Sequence, residues 1–168
     1  MLGTDFEKSL SEFTLYVKCN TSEILVVSLY VDDLLITGSS ERLIDGFKQD
    51  MMQGFEMYDL GLMTYFLGME ITQGKDEFFI CQKKYAKEIL KKFKMENCKE
   101  ISAPMNHKEK LSRDDGAEKV EETYFSCFIG CLMYLTATRP NILYVVSVLS
   151  RFMHCPSEIH LQAAKRIV

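Results

Sequence analysis

Two adjacent carboxylates, Asp32 and Asp33, interrupt a run that is otherwise apolar, from Val26 to Val31 before them and Leu34-Leu35-Ile36-Thr37-Gly38 after. Like charges side by side repel and resist desolvation, so placing them beside a core brings no structural gain. A divalent cation reverses that balance, because Mg²⁺ prefers hard oxygen ligands and a rigid turn supplies them in fixed positions. Two such ions about 4 Å apart activate a hydroxyl nucleophile and stabilise a leaving phosphate oxygen. In-line displacement requires well-placed groups, which apolar strands on both sides of the pair would provide. The plainer alternative is an ordinary solvent-exposed Asp-Asp turn.

The elements that position the pair follow from the pattern around it. Phe13–Val17 and Ile24–Val31 are rich in β-branched and aromatic residues, and Cys19-Asn20-Thr21-Ser22 separates them, which predicts an antiparallel pair. Strand, acidic turn, strand is the simplest account of Ile24 to Gly38. Ser39-Ser40-Glu41 offers a helix cap, and Leu43, Phe47, Met51 and Phe55, with Ile44 beside them, recur every four residues. That spacing predicts an amphipathic helix covering one face of the sheet and ending near Gly54. Beyond the turn Asp59-Leu60-Gly61, residues 64–71 read as one strand and 78–80 as another, joined through Gly74-Lys75-Asp76. A helix over 82–94 turns Tyr85, Ile89, Leu90 and Phe93 inward and sets Lys84, Lys87, Lys91 and Lys94 on another face. Residues 97–121 are polar and contain Pro104 and Asp114-Asp115-Gly116, which predicts a linker. Helices over 122–137, 142–152 and 157–168 complete an α+β chain, with an antiparallel sheet backed by helices on one face and a helical region after it.

Composition narrows the function classes. The 168 residues carry 20 Lys and Arg against 24 Asp and Glu, a net charge of −4, which argues against a free-standing nucleic-acid binder. The six cysteines include no CxxC pair, so reduced thiols are expected. Cys127, Cys131 and His154-Cys155 lack the tight ligand pairs of structural zinc sites and read as small hydrophobes. The start of the chain has neither a basic stretch nor an apolar one. The apolar region 124–152 is broken at Thr138-Arg139-Pro140-Asn141, below the ~20 residues of a membrane span. An intracellular protein of unspecified compartment, with no membrane partner, is expected.

Tyr30-Val31-Asp32-Asp33 with its flanks resembles the YVDD motif of reverse transcriptases, and the aliphatic pair and Thr-Gly that follow resemble the copia-type retrotransposon branch. The likeness continues through Asp59-Leu60-Gly61 and Tyr65-Phe66-Leu67-Gly68-Met69-Glu70-Ile71, whose Phe-Leu-Gly-Met-Glu portion resembles a primer-grip hairpin. It extends through residues 82–90, Ala103-Pro104-Met105, residues 130–140 and Leu149-Ser150-Arg151-Phe152-Met153. The resemblance implies a partial palm over residues 1–96, a linker over 97–121 and a helical thumb-like region over 122–168.

The same resemblance implies the roles. Asp32 and Asp33 correspond to the two neighbouring acids of the catalytic triad, Asp32 being the stronger match to a direct metal ligand, with two Mg²⁺ ions in the complete enzyme. Tyr30 would line the site near the primer terminus, and Phe66, Leu67, Gly68 and Met69 would position the primer strand. Lys84, Lys87 and Lys91 would touch nucleic-acid backbone, although Glu88 interrupts them and a solvated helix face accounts for them equally. The implied partners are an RNA or DNA template-primer and a deoxynucleoside triphosphate. The family's first catalytic aspartate belongs to a strand upstream of this stretch, so weak metal binding and no polymerase activity are expected of these residues alone. Phe125-Ser126-Cys127-Phe128 and Asn141 depart from the family's Arg-Ser-Leu and Asp. A non-enzymatic relic or partner-binding module that keeps only the fold is the competing expectation.

Overall fold

The computed structural model describes residues 6–75, 77–99 and 111–168. The chain divides into two compact units, Met1–Gly61 and Leu62–Val168. This division falls inside the stretch expected to form one partial palm over 1–96.

In the first unit, β1 (Glu7–Lys8), β2 (Leu15–Cys19), β3 (Ile24–Tyr30) and β4 (Asp33–Gly38) form an antiparallel sheet in that order. The expected pair is present two residues later at its first strand, and β1 is an addition that two polar residues did not signal. Leu25 and Val27 on β3 are buried, and their cross-strand partners are Gly38 and Ile36. Partners directly opposite share a face, so Tyr30, which pairs with Asp33, projects from the other face.

Helix α1 (Glu41–Gly54) covers the Leu25 face. Ser40 caps it by accepting a hydrogen bond from Leu43 N, and its own hydroxyl donates to Glu23. Gly38 lets β4 lie close against β3: a Cβ there would lie 2.9 Å from Ile24 O and 3.2 Å from Leu25 Cδ1, while Ile44 Cγ1 of α1 would be at ordinary contact, 3.4 Å. After the helix, Asp59 accepts from Gly61 N at 2.9 Å and from Lys48 Nζ at 2.9 Å, and these bonds hold its carboxyl below the ordinary aspartate value.

The second unit contains a small sheet of β5 (Tyr65–Phe66), β6 (Met69–Gln73) and β7 (Phe78–Cys81), followed by α2 (Lys83–Lys92), α3 (Glu122–Leu135), α4 (Leu143–Ser150) and α5 (Glu158–Lys165). The single strand expected over 64–71 is instead a hairpin that turns at Leu67-Gly68. Leucine ahead of the glycine hid the turn, because Asn or Asp is the usual companion. Phe125, Phe128, Ile129, Leu132 and Leu135 are fully buried on α3 and pack with Ile89 and Phe93 of α2 and Leu149 of α4. The expected inward residues of α2 are placed inward, joined by Ala86. Among the described residues no helix is long and apolar enough to cross a membrane.

Part of the expected linker is packed. Residues 100–110 lie outside the described residues, but Lys119 bridges to Ser157, Val120 N donates to Pro156 O, and Leu111 and Val120 rest against the core. Polar composition disguised this, because the attachment is itself polar. Ser157 donates to Asp115, and Ser157 N donates to His160 Nδ1 at 3.0 Å, a capping box with histidine in the place of Glu or Gln. An accepting Nδ1 requires the neutral ring with its hydrogen on Nε2. The ring is fully buried, stacked on Phe152 with centroids 3.9 Å apart, and its Nε2 lies 3.9 Å from Asp115.

Burial pushes the His160 pKa below 6.5, opposed by the charge of Asp115. The unfolded chain therefore takes up that proton first, so the stability present above about 6.5 is lost as pH falls toward the folded value. Urea unfolding between about pH 7.5 and about pH 5.5 should show this loss, and His160→Gln, which keeps a cap and cannot ionise, should flatten it. An equal slope in both proteins would show that His160 is not the group responsible.

Candidate active site and nucleic-acid interface

The β3–β4 hairpin reverses through only two residues, Val31 and Asp32, because Tyr30 and Asp33 are already paired. Val31 has φ +52° and Asp32 does not share the positive sign, the sign pattern of a type II′ turn. Glycine is the usual residue at that first position. A β-branched residue there is strained by about 1–3 kcal/mol, and Val31 is 78% exposed, so no burial accompanies the strain.

The outcome is geometric. Asp32 sits at the tip, while Asp33 stands at the first residue of β4 on the face away from α1, beside Tyr30. Asp32, Asp33 and Tyr30 are all solvent-exposed. Two accessible carboxylates at a rigid bend fit part of the oxygen set that magnesium takes. Among the described residues no group of three His, Cys, Asp or Glu comes together to hold a metal ion. The hairpin thus offers two ligands and leaves the remainder of a coordination shell to other groups.

The second candidate region lies in the second unit and is described by itself. Phe66 pairs with Met69, and Leu67 (φ +48°) and Gly68 (φ +75°) make the turn between them, both positive as a type I′ turn requires. Phe66, Gly68 and Met69 are half-buried, and Leu67 is exposed. Lys84, Lys87 and Lys91 are exposed on α2 as expected. Lys84 is also engaged locally: its Nζ lies 5.4 Å from the centre of the Tyr65 ring, and its backbone N–H donates to Glu70 at 2.8 Å. That bond places an acid at the N-terminus of α2, where the helix dipole favours negative charge.

Sequence reasoning missed the residues around this hairpin. Gln82 was placed only at a helix start, yet it is 3% exposed; its Nε2 donates to Tyr134 O at 3.4 Å and its Oε1 accepts from Thr138 Oγ1 at 2.8 Å. No periodicity announces a buried glutamine. None of the cysteines read as small hydrophobes is buried: Cys127 and Cys155 are exposed and Cys131 is half-buried, and Lys92 Nζ donates to Cys127 Sγ at 3.2 Å, which holds the ammonium above the ordinary lysine pKa.

The chain thus carries an exposed acidic hairpin in a helix-backed antiparallel sheet, and comparison with known proteins gives its family. Residues 1–107 match the family model described as reverse transcriptase (RNA-dependent DNA polymerase). The chain belongs to this family. It is 36% identical over its full length to the retrovirus-related Pol polyprotein from transposon RE1 of Arabidopsis thaliana and 34% identical to that from transposon TNT 1-94 of Nicotiana tabacum. These relatives are copia-type, and the chain spans only 12% and 13% of their lengths. An uncharacterized mitochondrial protein of Arabidopsis thaliana is 38% identical over 83% of the chain, a match covering 58% of that protein. No solved structure matches the chain.

If Val31 is strained, Val31→Gly should leave stability unchanged or raise it. Relief of about 1–3 kcal/mol is set against the roughly 1 kcal/mol that glycine loses in backbone entropy. Urea unfolding of the purified chain measures the difference; a loss above about 1 kcal/mol would contradict the strain assignment.

Proposed function

We propose that this chain is the part of a copia-type RNA-directed DNA polymerase that carries two of its metal-binding aspartates, and that it works as a palm and thumb segment within a longer polyprotein. The supporting observation is the two-residue turn that presents Asp32 and Asp33, with Tyr30 beside them, in a chain of reverse-transcriptase ancestry. On this reading Asp32 and Asp33 help to hold two Mg²⁺ ions. When bound, the ions would lower the pKa of a primer 3′-hydroxyl and stabilise the leaving pyrophosphate of a deoxynucleoside triphosphate. The chain's own contributions are positional. The hairpin fixes the carboxylates, Tyr30 occupies the surface next to them, and the Phe66–Met69 turn meets the primer strand. Lys84, Lys87 and Lys91 would meet backbone phosphates, where each cation releases counterions.

The remaining metal ligands and the nucleotide-selecting surface are assigned to polyprotein segments outside these 168 residues. The net charge of −4 accords with that division, because such a chain alone would bind template-primer weakly.

Asp32→Asn or Asp33→Asn in the complete polymerase should lower kcat by more than about 100-fold, since even the outer partners of metal ligands are worth 10–100-fold. The purified 168-residue chain should show no template-dependent primer extension in Mg²⁺. Near-normal turnover in either variant would overturn the assignment of the aspartates; synthesis by the isolated chain would overturn the assignment of missing groups to the rest of the polyprotein.

A further inference from the structure

The Leu67-Gly68 turn is carried by one of the shortest strand pairs possible, since β5 has only two residues. β7 pairs with β6 on its other edge, but the two-residue β5 gives the turn itself little hold, and a further contact supports the tip. The ring of Tyr134, near the end of α3, does so. A Cβ added to Gly68 would lie 3.2 Å from Tyr134 Oη and 3.3 Å from its Cε1, so the turn rests directly on the phenol.

The phenol is held in turn. Tyr85 meets it edge-on, with centroids 5.0 Å apart and planes at 88°, and the Tyr85 hydroxyl donates to Cys131 O at 3.3 Å. Gln82 binds the Tyr134 carbonyl and the Thr138 hydroxyl at once, which commits both ends of its buried amide. Glu70, on the strand leaving the turn, ties back to the N-terminus of α2 through Lys84 N. Turn, strand, α2 and the end of α3 therefore form a closed chain of contacts within the second unit. Leu67 and Tyr134 are 40% and 36% exposed, so a bound strand can reach the turn while the ring supports it.

We propose that Tyr134 is a positioning residue for the primer strand: its side chain is the seat of the Leu67-Gly68 turn, held by Tyr85 and Gln82, and it fixes the turn that meets the primer. This rests on the reading of that hairpin as a nucleic-acid contact. The seat is a van der Waals contact shared by the Tyr134 ring and its hydroxyl oxygen, so Tyr134→Phe keeps most of it and Tyr134→Ala removes it.

In the complete polymerase, Tyr134→Ala should lower the extension rate at saturating template-primer and nucleotide by about 10- to 100-fold, the effect expected of a misplaced reactant. The KM for nucleotide should stay within about threefold, because uniform binding is untouched. Tyr134→Phe should return the rate to within about twofold of the parent. Amide exchange at Leu67 and Gly68 should quicken in Tyr134→Ala and not in Tyr134→Phe. Gly68→Ala, which crowds the same side chain and strains the turn at φ +75°, supplies a second variant if Tyr134→Ala fails to fold, and it should lower the rate similarly. Leu67→Glu separates the two levels of the argument. If it leaves template-primer affinity unchanged, the hairpin is not a nucleic-acid contact and the reading beneath the inference fails. If it weakens binding while the Tyr134→Ala enzyme, or the Gly68→Ala enzyme in its place, extends primers at the parental rate, only the seat is overturned.

Discussion

The register between Tyr30 and Asp33 is the constraint on which the catalytic reading depends. Side chains alternate across a strand, so a slip of one residue would carry Asp33 to the face covered by α1 and bring Leu34 out in its place. Several features resist that slip. Leu25 and Val27 are buried and must remain so, their partners Gly38 and Ile36 share their face, and Gly38 fits against Ile24 O and Leu25 only because it has no side chain. The acids are thus positioned by apolar residues several positions away. A carboxylate pair, which gains nothing from the core, takes its location from the core's demands.

The second unit solves a related problem with polar groups. Its helical core is apolar and densely aromatic, but the attachments at its margins use Gln82 between α2 and the end of α3, and Asp115, Ser157 and His160 between the 111–121 segment and α5. A buried amide or imidazole is costly unless its partners are placed well, so these groups stabilise one arrangement and penalise displaced ones. Apolar packing alone tolerates sliding far better.

This difference explains what was legible in the sequence. Helix α2 was evident because Tyr85, Ile89, Leu90 and Phe93 recur at helical spacing, and the buried residues of α3, Phe125, Phe128, Ile129, Leu132 and Leu135, follow the same spacing. The antiparallel pair before Asp32 was evident from its β-branched residues, and the acidic turn from charge breaking an apolar run. Strand β1, with only Glu7 and Lys8, has no such pattern. The role of Asp115 was hidden because Asp-Asp-Gly reads as solvated loop, and the difference between a loop and a docked segment lies in Ser157, 42 residues later. Gln82 and Tyr134 were hidden for the same reason, since pairing over 52 residues leaves no local trace.

Among the described residues, three non-glycine residues with positive φ test whether strain here has a structural explanation: Val31, Leu67 and Lys94. Lys94 has one. It follows α2 at the left-handed position of a Schellman motif, in which Met95 N donates to Leu90 O at 2.7 Å and Lys94 N to Lys91 O at 3.1 Å, so two otherwise unpaired carbonyls offset the strain. Val31 and Leu67 close tight hairpins in which glycine, or asparagine at the second site, would give the same reversal without that cost. Val31 is 78% exposed and recovers little of the difference by burial, whereas Leu67, 40% exposed, recovers part of it. Burial therefore does not account for Val31. On the proposed reading, each of these two turns belongs to a segment that meets the template-primer, the kind of place where backbone strain is retained.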